Sequence, residues 1–549
     1  MNQHSRSEAV LNTMLWLAFA AWVFVLFTNA LPLVQLGWLE PLKSKTRYAN
    51  LVRIATLLFF ALLSILAFKK RILFTRLDLL RLWNSASPSQ IGGLVWILTL
   101  IYFVSGSLIG FTRHFALQTR AFDLGIFDQV LWNTLQGDFL LSSLKDNTCL
   151  LGDHFSPFLI LLIPAYALFQ DPVTLLILQA AALSLCIPVV YRLANQQLLD
   201  PRAAFCFAAA FFLFYPERSA LHEDFHPEVM VQPLLFLAFI LMKERKWGLF
   251  LGCLTLCLSA KENFAGIVFI FGLSLFLFEK QKRLGGFLAI FALFYLISVT
   301  RWIIPSISGK PYLYCGFYQS ILEHPAAAMH QILSLDAVSY ILKLFSPLLF
   351  LSFLHPPSLL LTLPVLAQNL LSENEVTRSF SYHYTAGLSP FVFISAIMGW
   401  HWLSSRLTGS MKRKVLLLLM LFSLLRSGPS EYYYFYNSLQ SINPLIKTTK
   451  SELSRIPDKA SVLTHNNLIP QLSRRKYIFQ FEHNPTPEKI EQALNLDVDI
   501  VILDKQFWEP KSKPFEETVA DFQAEGFMSL FKNENLVIFK KISPGKDLS

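Results

Sequence analysis

The 549-residue chain has little charge: 15% of its residues are Asp, Glu, Lys or Arg, whereas 54% are hydrophobic and 50 are Phe. Soluble globular domains carry roughly 25% charged residues, so this composition excludes an ordinary soluble protein. The net charge of +10 would also suit a protein that binds nucleic acid. Here, however, the basic residues lie in short loops between apolar segments. Membrane topology explains them, and no nucleic-acid partner is expected.

Cysteine is also scarce, and the six cysteines show no metal-ligand spacing. Four of them fall in apolar segments, where small packing side chains are expected. Cys149 and Cys315 fall in outer segments, and a disulfide between them is left open. The sequence has no evident internal repeat or low-complexity stretch. It has no cleavable signal peptide pattern, because the first apolar segment is too long and lacks a small-residue cleavage site.

Long apolar runs, by contrast, are abundant. A run of about 18 residues or more predicts a membrane-spanning helix, and thirteen segments mostly meet that length. They lie near 10–34, 49–68, 91–111, 173–191, 203–215, 229–242, 247–260, 263–278, 285–304, 338–354, 356–371, 385–404 and 415–427. The chain is therefore predicted to be an all-α polytopic membrane protein.

Lys and Arg predict the orientation, because basic short loops face the cytoplasm. Five loops are clearly basic, and they fall at alternate connections if the N-terminus is cytoplasmic and 155–169 does not span. We therefore interpret 155–169, which Pro157 and Pro164 interrupt, as a re-entrant or interfacial helix. An odd number of spans then places residues 428–549 outside the cytoplasm.

Three parts are predicted. Residues 1–90 form an N-terminal two-span extension, 91–428 a transmembrane body with its first outer loop at 112–153, and 429–549 an extracytoplasmic α/β domain. In this last domain, alternating apolar and polar residues and runs of β-branched residues predict the strands. Segments between and after these strands predict helices. The strands are expected at 460–464, 477–480 and 498–504, the helices near 467, at 487–494 and at 515–525, and a hairpin at 527–540.

The first outer loop carries Asp123 and Asp128 among bulky apolar residues, which predicts a helix on the membrane surface. A partly desolvated carboxylate there would be a better proton acceptor than one in bulk water. The alternative is a solvated interfacial helix with ordinary caps.

A second polar cluster is 216–228, where seven of thirteen residues are ionisable. On a helix, His222 and His226 would share one face, a spacing that suits a divalent metal. Pro227 argues against a continuous helix because it starts the next span. A polar edge that faces substrate is therefore favoured over a metal site built from this segment alone.

Two further groups are expected on the same face. Lys261 and Glu262 lie between two short spans, where an ion pair is costly unless it faces a cavity or a partner. Arg378, His383 and Tyr384 precede the span at 385–404, and an aromatic belt explains only the tyrosine. The convergence of these four groups on one side of the membrane is the argument for a shared site.

Four motifs carry a resemblance to a known family. Phe122–Gln129 (FDLGIFDQ), Leu150–Pro157 (LLGDHFSP), His222–Glu228 (HEDFHPE) and His383-Tyr384 resemble a family of bacterial and archaeal predicted membrane proteins with a domain of unknown function. That family resembles the C-type glycosyltransferase superfamily. The resemblance covers about 91–540 and implies the multispanning fold of that superfamily.

The resemblance implies an inverting glycosyltransferase in the cytoplasmic (inner) membrane of a prokaryote. Such enzymes transfer a sugar from a polyprenyl-phosphate donor to a cell-envelope acceptor on the outer face, so membrane lipid and this donor are the implied partners. An acidic residue of the first outer loop acts as base or metal ligand, which implies Asp128 or Asp123.

The phosphate leaving group needs a cation, for which Lys261, Arg378 and Arg218 are candidates. The only cofactor that the resemblance suggests is a divalent metal, and the sequence does not assign its ligands. The substrate-binding candidates are Asp153, His154, His222, Glu223, Asp224, His226, Glu228, Lys261, Glu262, Arg378, His383 and Tyr384.

Two other classes of function remain open: a transporter or lipid-binding protein, and a non-catalytic cell-envelope assembly protein. Transporters usually hold ionisable residues near the bilayer midplane and often contain inverted repeats. Here the ionisable residues cluster at the outer boundary, which favours the transferase.

Overall fold

The computed structural model describes residues 86–313, 323–427, 431–481, 486–508 and 513–541. The predicted spans at 10–34 and 49–68 and residue Cys315 lie outside these ranges, so the two-span extension and the disulfide stay hypotheses.

The body of the protein is helical. Its first helices are α1 Pro88–Phe115, α2 Ile126–Leu135, α3 Ile163–Leu168, α4 Pro172–Leu198, α5 Pro201–Phe212, α6 Tyr215–Leu221, α7 Pro227–Met230, α8 Gln232–Lys243, α9 Trp247–Ala260 and α10 Phe264–Leu277. They are followed by α11 Lys282–Ser298, α12 Ile304–Ser308, α13 Pro325–Ile332, α14 Leu335–Phe345, α15 Pro356–Leu359, α16 Leu363–Leu371, α17 Ser389–Ser404, α18 Gly409–Leu425 and α19 Glu431–Ser441.

Three helices within the described ranges are long and apolar enough to cross a membrane: Pro88–Phe115, Pro172–Leu198 and Lys282–Ser308. Several shorter apolar helices accompany them, so the total of thirteen spans stays a prediction. The prediction of one continuous membrane-spanning helix at 338–354 is wrong. Residues 338–354 break after α14 into short 3₁₀ turns, and Leu349 and Phe350 adopt positive φ angles of 52° and 56°. Pro347 lacks a backbone N–H donor, which accounts for the break.

The segment predicted to be re-entrant or interfacial is a short apolar helix, Pro157–Leu168. Its first half is a 3₁₀ helix over Pro157–Leu162, and α3 follows from Ile163 with Pro164 in its first turn. At 1.5–2.0 Å per residue this helix is roughly 20 Å long, well below the ~30 Å hydrocarbon core.

A small α/β sheet follows the helical body, as the sequence predicts. Besides the short outer-loop hairpin of β1 Leu141–Ser142 and β2 Thr148–Cys149, the strands are β3 Val462–His465, β4 Ile478–Phe481, β5 Ile500–Asp504, β6 Phe527–Lys532 and β7 Leu536–Lys541. The helices are α20 Pro444–Leu453, α21 Ile469–Leu472, α22 Pro487–Leu494 and α23 Phe515–Ala524.

The sheet order is β4-β3-β5-β7-β6, with β3 parallel to β4 and β5 and with β7 antiparallel to β5 and β6. Alternate residues of β5 enter two separate cores: Ile502 packs with Ile469 on one face, and Val501 packs with Phe522 on the other. Both faces are covered, which explains the continuous apolar run that identified this strand.

The packing of α10 against α11 gives a stability prediction. A Cβ atom at Gly285 would lie 2.6 Å from the Gly272 carbonyl oxygen, whereas a Cβ at Gly286 meets nothing within 4 Å. Close backbone approach at small residues is how membrane helices gain packing contacts. We expect Gly285→Ala to destabilise the protein by about 1–3 kcal/mol and Gly286→Ala to leave it unchanged. Thermal melting in detergent measures both; equal melting temperatures would contradict this helix contact.

Candidate active site

A cavity of about 630 Å³ opens beside the loop at 112–153, predicted to be the first outer loop, and is lined by side chains from distant parts of the sequence. Nine of the fourteen candidate residues line it: Asp123, Asp153, His154, His226, Glu228, Lys261, Glu262, His383 and Tyr384. The four polar groups expected on one face of the membrane therefore each contribute to a single cavity.

Asp123 lies in the turn that leads into α2, and its side chain is 41% exposed. Its Oδ2 lies 2.6 Å from His226 Nε2. Burial would raise the pKa of Asp123, but the charge and hydrogen bond of His226 lower it to about 2. The prediction that desolvation makes this carboxylate a stronger proton acceptor is therefore wrong, because the histidine outweighs the burial.

His226 is held on several sides. Its backbone N–H donates to Gln179 Oε1 at 2.8 Å, and its ring Nδ1 lies 2.8 Å from the Asp224 carbonyl oxygen. The ring stacks on His383 with the centroids 3.4 Å apart. Burial would lower the pKa of His226, but the charges of Asp123 and nearby glutamates raise it to about 10.

Glu228 and Lys261 form an ion pair on the cavity wall, with 2.8 Å between Oε1 and Nζ. His383 Nε2 lies 3.5 Å from the same Glu228 oxygen. Burial would raise the pKa of Glu228, but the charges of Lys261, His383 and His226 hold it well below its usual range. Because α9 ends at Ala260, Lys261 projects from a helix end at the edge of the apolar region.

Glu262 orients His154. Its Oε1 lies 2.9 Å from His154 Nδ1 and accepts a hydrogen bond of 2.8 Å from the Tyr312 hydroxyl, while its Oε2 accepts one of 3.0 Å from the Phe155 N–H. Burial would raise the pKa of Glu262, but the hydrogen bond and charge of His154 lower it to about 2. The sequence alone does not identify Tyr312 as a partner of Glu262, because a single tyrosine outside any motif does not indicate which residue it contacts.

Glu223, His226 and His383 form a group that could hold a metal ion, because one potential ligand atom from each lies within 4.8 Å of the others. As Pro227 indicates, His222 and His226 do not pair on one helical face. Helix α6 ends at Leu221, so the two histidines are not on one helical face. His222 instead packs against Tyr434, with ring centroids 4.4 Å apart.

Asp128, which with Asp123 is a first choice for the base or metal ligand, does not line the cavity. Its carboxylate is fully buried and accepts hydrogen bonds of 2.6 Å from the hydroxyls of Tyr166 and Ser473. Burial raises the pKa of Asp128 to about 7 although both hydrogen bonds favour the charged form. Asp128 therefore links the first outer loop to the C-terminal domain.

The remaining four of the fourteen candidates do not line the cavity, and neither does the cation candidate Arg218; these four are His222, Glu223, Asp224 and Arg378. Asp224 pairs with Arg113 at 3.2 Å and accepts the Arg120 N–H at 2.7 Å. Arg378 pairs with Asp336 at 2.6 Å, and Arg218 donates to the Ser427 carbonyl at 2.6 Å. These contacts stabilise the surrounding loops.

The C-terminal domain holds the loop that presents Asp123. The Ala121 N–H donates to Asn466 Oδ1 at 2.8 Å, and Asn467 Nδ2 donates to the Leu117 carbonyl at 3.0 Å. On the other side of Asp123, the contact between Asp128 and Ser473 fixes α2. The turn with Asp123 is therefore anchored before and after this residue.

The buried carboxyl of Asp128 gives a pH prediction. Its raised pKa means that the folded state binds a proton that the unfolded state releases between about pH 4 and 7. Stability from this group is therefore lost as the pH rises, by at most about 1.4 kcal/mol per pH unit. We expect the melting temperature of wild type to fall more steeply from pH 5 to 8 than that of Asp128→Asn.

Asp146→Asn is the matched control, because Asp146 belongs to the same outer loop and its side chain is 80% exposed. This control should follow the wild-type pH profile. An Asp128→Asn profile indistinguishable from wild type would contradict the burial of an ionisable carboxyl at this junction.

No curated protein matches this chain. Two crystal structures of ArnT from Cupriavidus metallidurans are similar to it, one bound to undecaprenyl phosphate and one in the apo state. They have 11% and 9% sequence identity and TM-scores of 0.48 and 0.49; each comparison covers 81% of this chain and 98% of the other. The model of the family described as "Predicted membrane protein (DUF2079)" matches residues 113–537. The chain belongs to this family of membrane proteins, which confirms the resemblance of its motifs.

Proposed function

We propose that this protein is an inverting glycosyltransferase that moves a sugar from a polyprenyl-phosphate donor to an acceptor at the outer face of the cytoplasmic membrane. The observation that carries the proposal is the convergence of Asp123, Lys261 and the His154–Glu262 pair on one cavity. The family's resemblance to C-type glycosyltransferases supplies the class of donor.

The size and lining of the cavity suit a sugar phosphate. Its volume of about 630 Å³ is within the range of roughly 300–1,000 Å³ that is usual for small-molecule sites. Ile126, Phe127 and Leu150 contribute apolar surface beside the charged groups. A lipid-linked donor needs both kinds of surface, since its head group is polar and its chain is apolar.

In the proposed reaction, an acceptor hydroxyl attacks the anomeric carbon while the bond from that carbon to the phosphate oxygen breaks. The bonding electrons leave with the phosphate, and a single displacement inverts the anomeric configuration. Asp123 takes the hydroxyl proton. Its low pKa keeps it ionised, and a weak base suffices because the hydroxyl becomes acidic as the new bond forms.

Lys261 would stabilise the negative charge that the phosphate gains on leaving. Its ion pair with Glu228 holds the ammonium group at the cavity wall. Glu262 fixes the ring of His154 through Nδ1, which orients the imidazole to bind hydroxyl groups of the sugar or the acceptor. Each role belongs to a side chain that lines the cavity.

The test compares wild type with Asp123→Asn and, as control, Asp146→Asn. Purified proteins are assayed for release of polyprenyl phosphate from a panel of polyprenyl-phosphate sugars. Loss of a general base typically lowers the rate about 10²–10⁴-fold, and we expect a loss of that size for Asp123→Asn. Asp146→Asn should keep the wild-type rate.

Two results would contradict the proposal. Full activity of Asp123→Asn would remove this residue from catalysis. Donor that binds to wild type without any turnover would instead support a lipid-binding or assembly role.

A further inference from the structure

We infer that Glu223, His226 and His383 form a binding site for a divalent transition-metal ion of the Zn²⁺ type beside the cavity, which His226 and His383 line. This inference extends the proposed function by naming a metal for the same site. Binding of the ion can nevertheless be measured without turnover, so the two proposals can fail separately.

The first argument is the spacing of the ligand atoms. Glu223 Oε2 and His383 Nδ1 are 3.3 Å apart. A tetrahedral ion with ligand bonds of about 2.0–2.1 Å separates its ligand atoms by roughly 3.3–3.4 Å. The potential ligand atoms of all three residues lie within 4.8 Å of one another, so small side-chain shifts would complete the set.

The second argument is that two of these atoms are buried with few polar contacts. Within the part of the chain that the structure describes, Glu223 Oε2 and His383 Nδ1 make no hydrogen bond beyond their 3.3 Å contact with each other. His383 is 8% exposed. Buried polar atoms usually have well-placed partners, and an ion between these two would be a closer partner for both.

The third argument is the environment of His226. Its Nδ1 lies 2.8 Å from the Asp224 carbonyl, which directs Nε2 toward Asp123 and away from the backbone. Metal-binding histidines usually have such a contact on the second ring nitrogen. Asp123 Oδ2 lies 2.6 Å from Nε2, so a carboxylate already borders the position of the ion.

The competing explanation is a set of ion pairs, His226 with Asp123 at 2.6 Å and His383 with Glu223 at 3.3 Å. Those pairs do not account for the close stacking of the His226 and His383 rings, whose centroids are 3.4 Å apart. A shared metal ion accounts for the convergence of both imidazoles and the Glu223 carboxylate on one point.

Two imidazoles and one carboxylate favour Zn²⁺ and its transition-metal neighbours over Mg²⁺ and Ca²⁺, which prefer oxygen ligands. Three protein ligands leave a coordination position open, as in catalytic rather than structural zinc sites. Bound there, the ion would supply positive charge beside the phosphate of a donor.

The test uses the full-length protein in detergent, stripped with a chelator, incubated with Zn²⁺ and dialysed. Elemental analysis by mass spectrometry should find about one zinc per wild-type chain and less than about a fifth of that in Glu223→Gln and His383→Gln. His222→Gln is the matched control, since it removes a buried histidine from the same segment and should keep its zinc. Wild type without zinc, or equal zinc in all four proteins, would overturn the site.

A second measurement needs no variant and covers the case in which a variant does not fold. X-ray absorption at the zinc edge of the wild-type protein should report two imidazoles and no sulfur ligand. Sulfur ligation, or oxygen ligands alone, would overturn the assignment. A wild-type protein that binds one zinc but releases no polyprenyl phosphate would contradict the proposed function and leave the metal site intact.

Discussion

The structure depends on how ionised side chains are compensated at the boundary of an apolar protein. A charge removed from water is strongly destabilising unless an opposite charge or hydrogen-bond donors accompany it. Asp123 meets His226, Glu228 meets Lys261, and Glu262 meets His154. In each pair the partners are far apart in sequence. Removing one partner of a buried pair typically costs about 3–5 kcal/mol, a magnitude that suits the pairs of Glu228 and Glu262. The Asp123 side chain is 41% exposed, so solvent screens its pair with His226 and that pair contributes less.

The C-terminal domain belongs to the same arrangement. Asn466 and Asn467 bind the backbone before Asp123, and Ser473 binds Asp128 after it. A soluble-type sheet is thereby connected to the turn that presents the proposed catalytic carboxylate. The domain therefore contacts the segments on both sides of Asp123.

The sequence predicted the features that follow from local patterns and topology. Alternating and β-branched residues identified the strands around Ile500–Asp504, and the charge distribution along the chain identified the four polar groups that contribute to the cavity. It could not distinguish Asp123 from Asp128, because both lie in one apolar motif and differ only in distant partners. Ser473 and Tyr166 bury Asp128, and His226 reverses the pKa shift expected for Asp123. The prediction of thirteen spans rested on the lengths of apolar runs. Run length does not reveal the break in the helix after Phe345.

The central claim is that the cavity beside Asp123 binds the phosphate of a polyprenyl-phosphate lipid next to Lys261. The most direct measurement is an electron cryomicroscopy structure of the full-length protein in nanodiscs with an added polyprenyl phosphate. The account predicts density for the phosphate within hydrogen-bond distance of Lys261 Nζ and for the prenyl chain leaving the cavity toward the lipid. A lipid bound elsewhere, with this cavity empty, would contradict it.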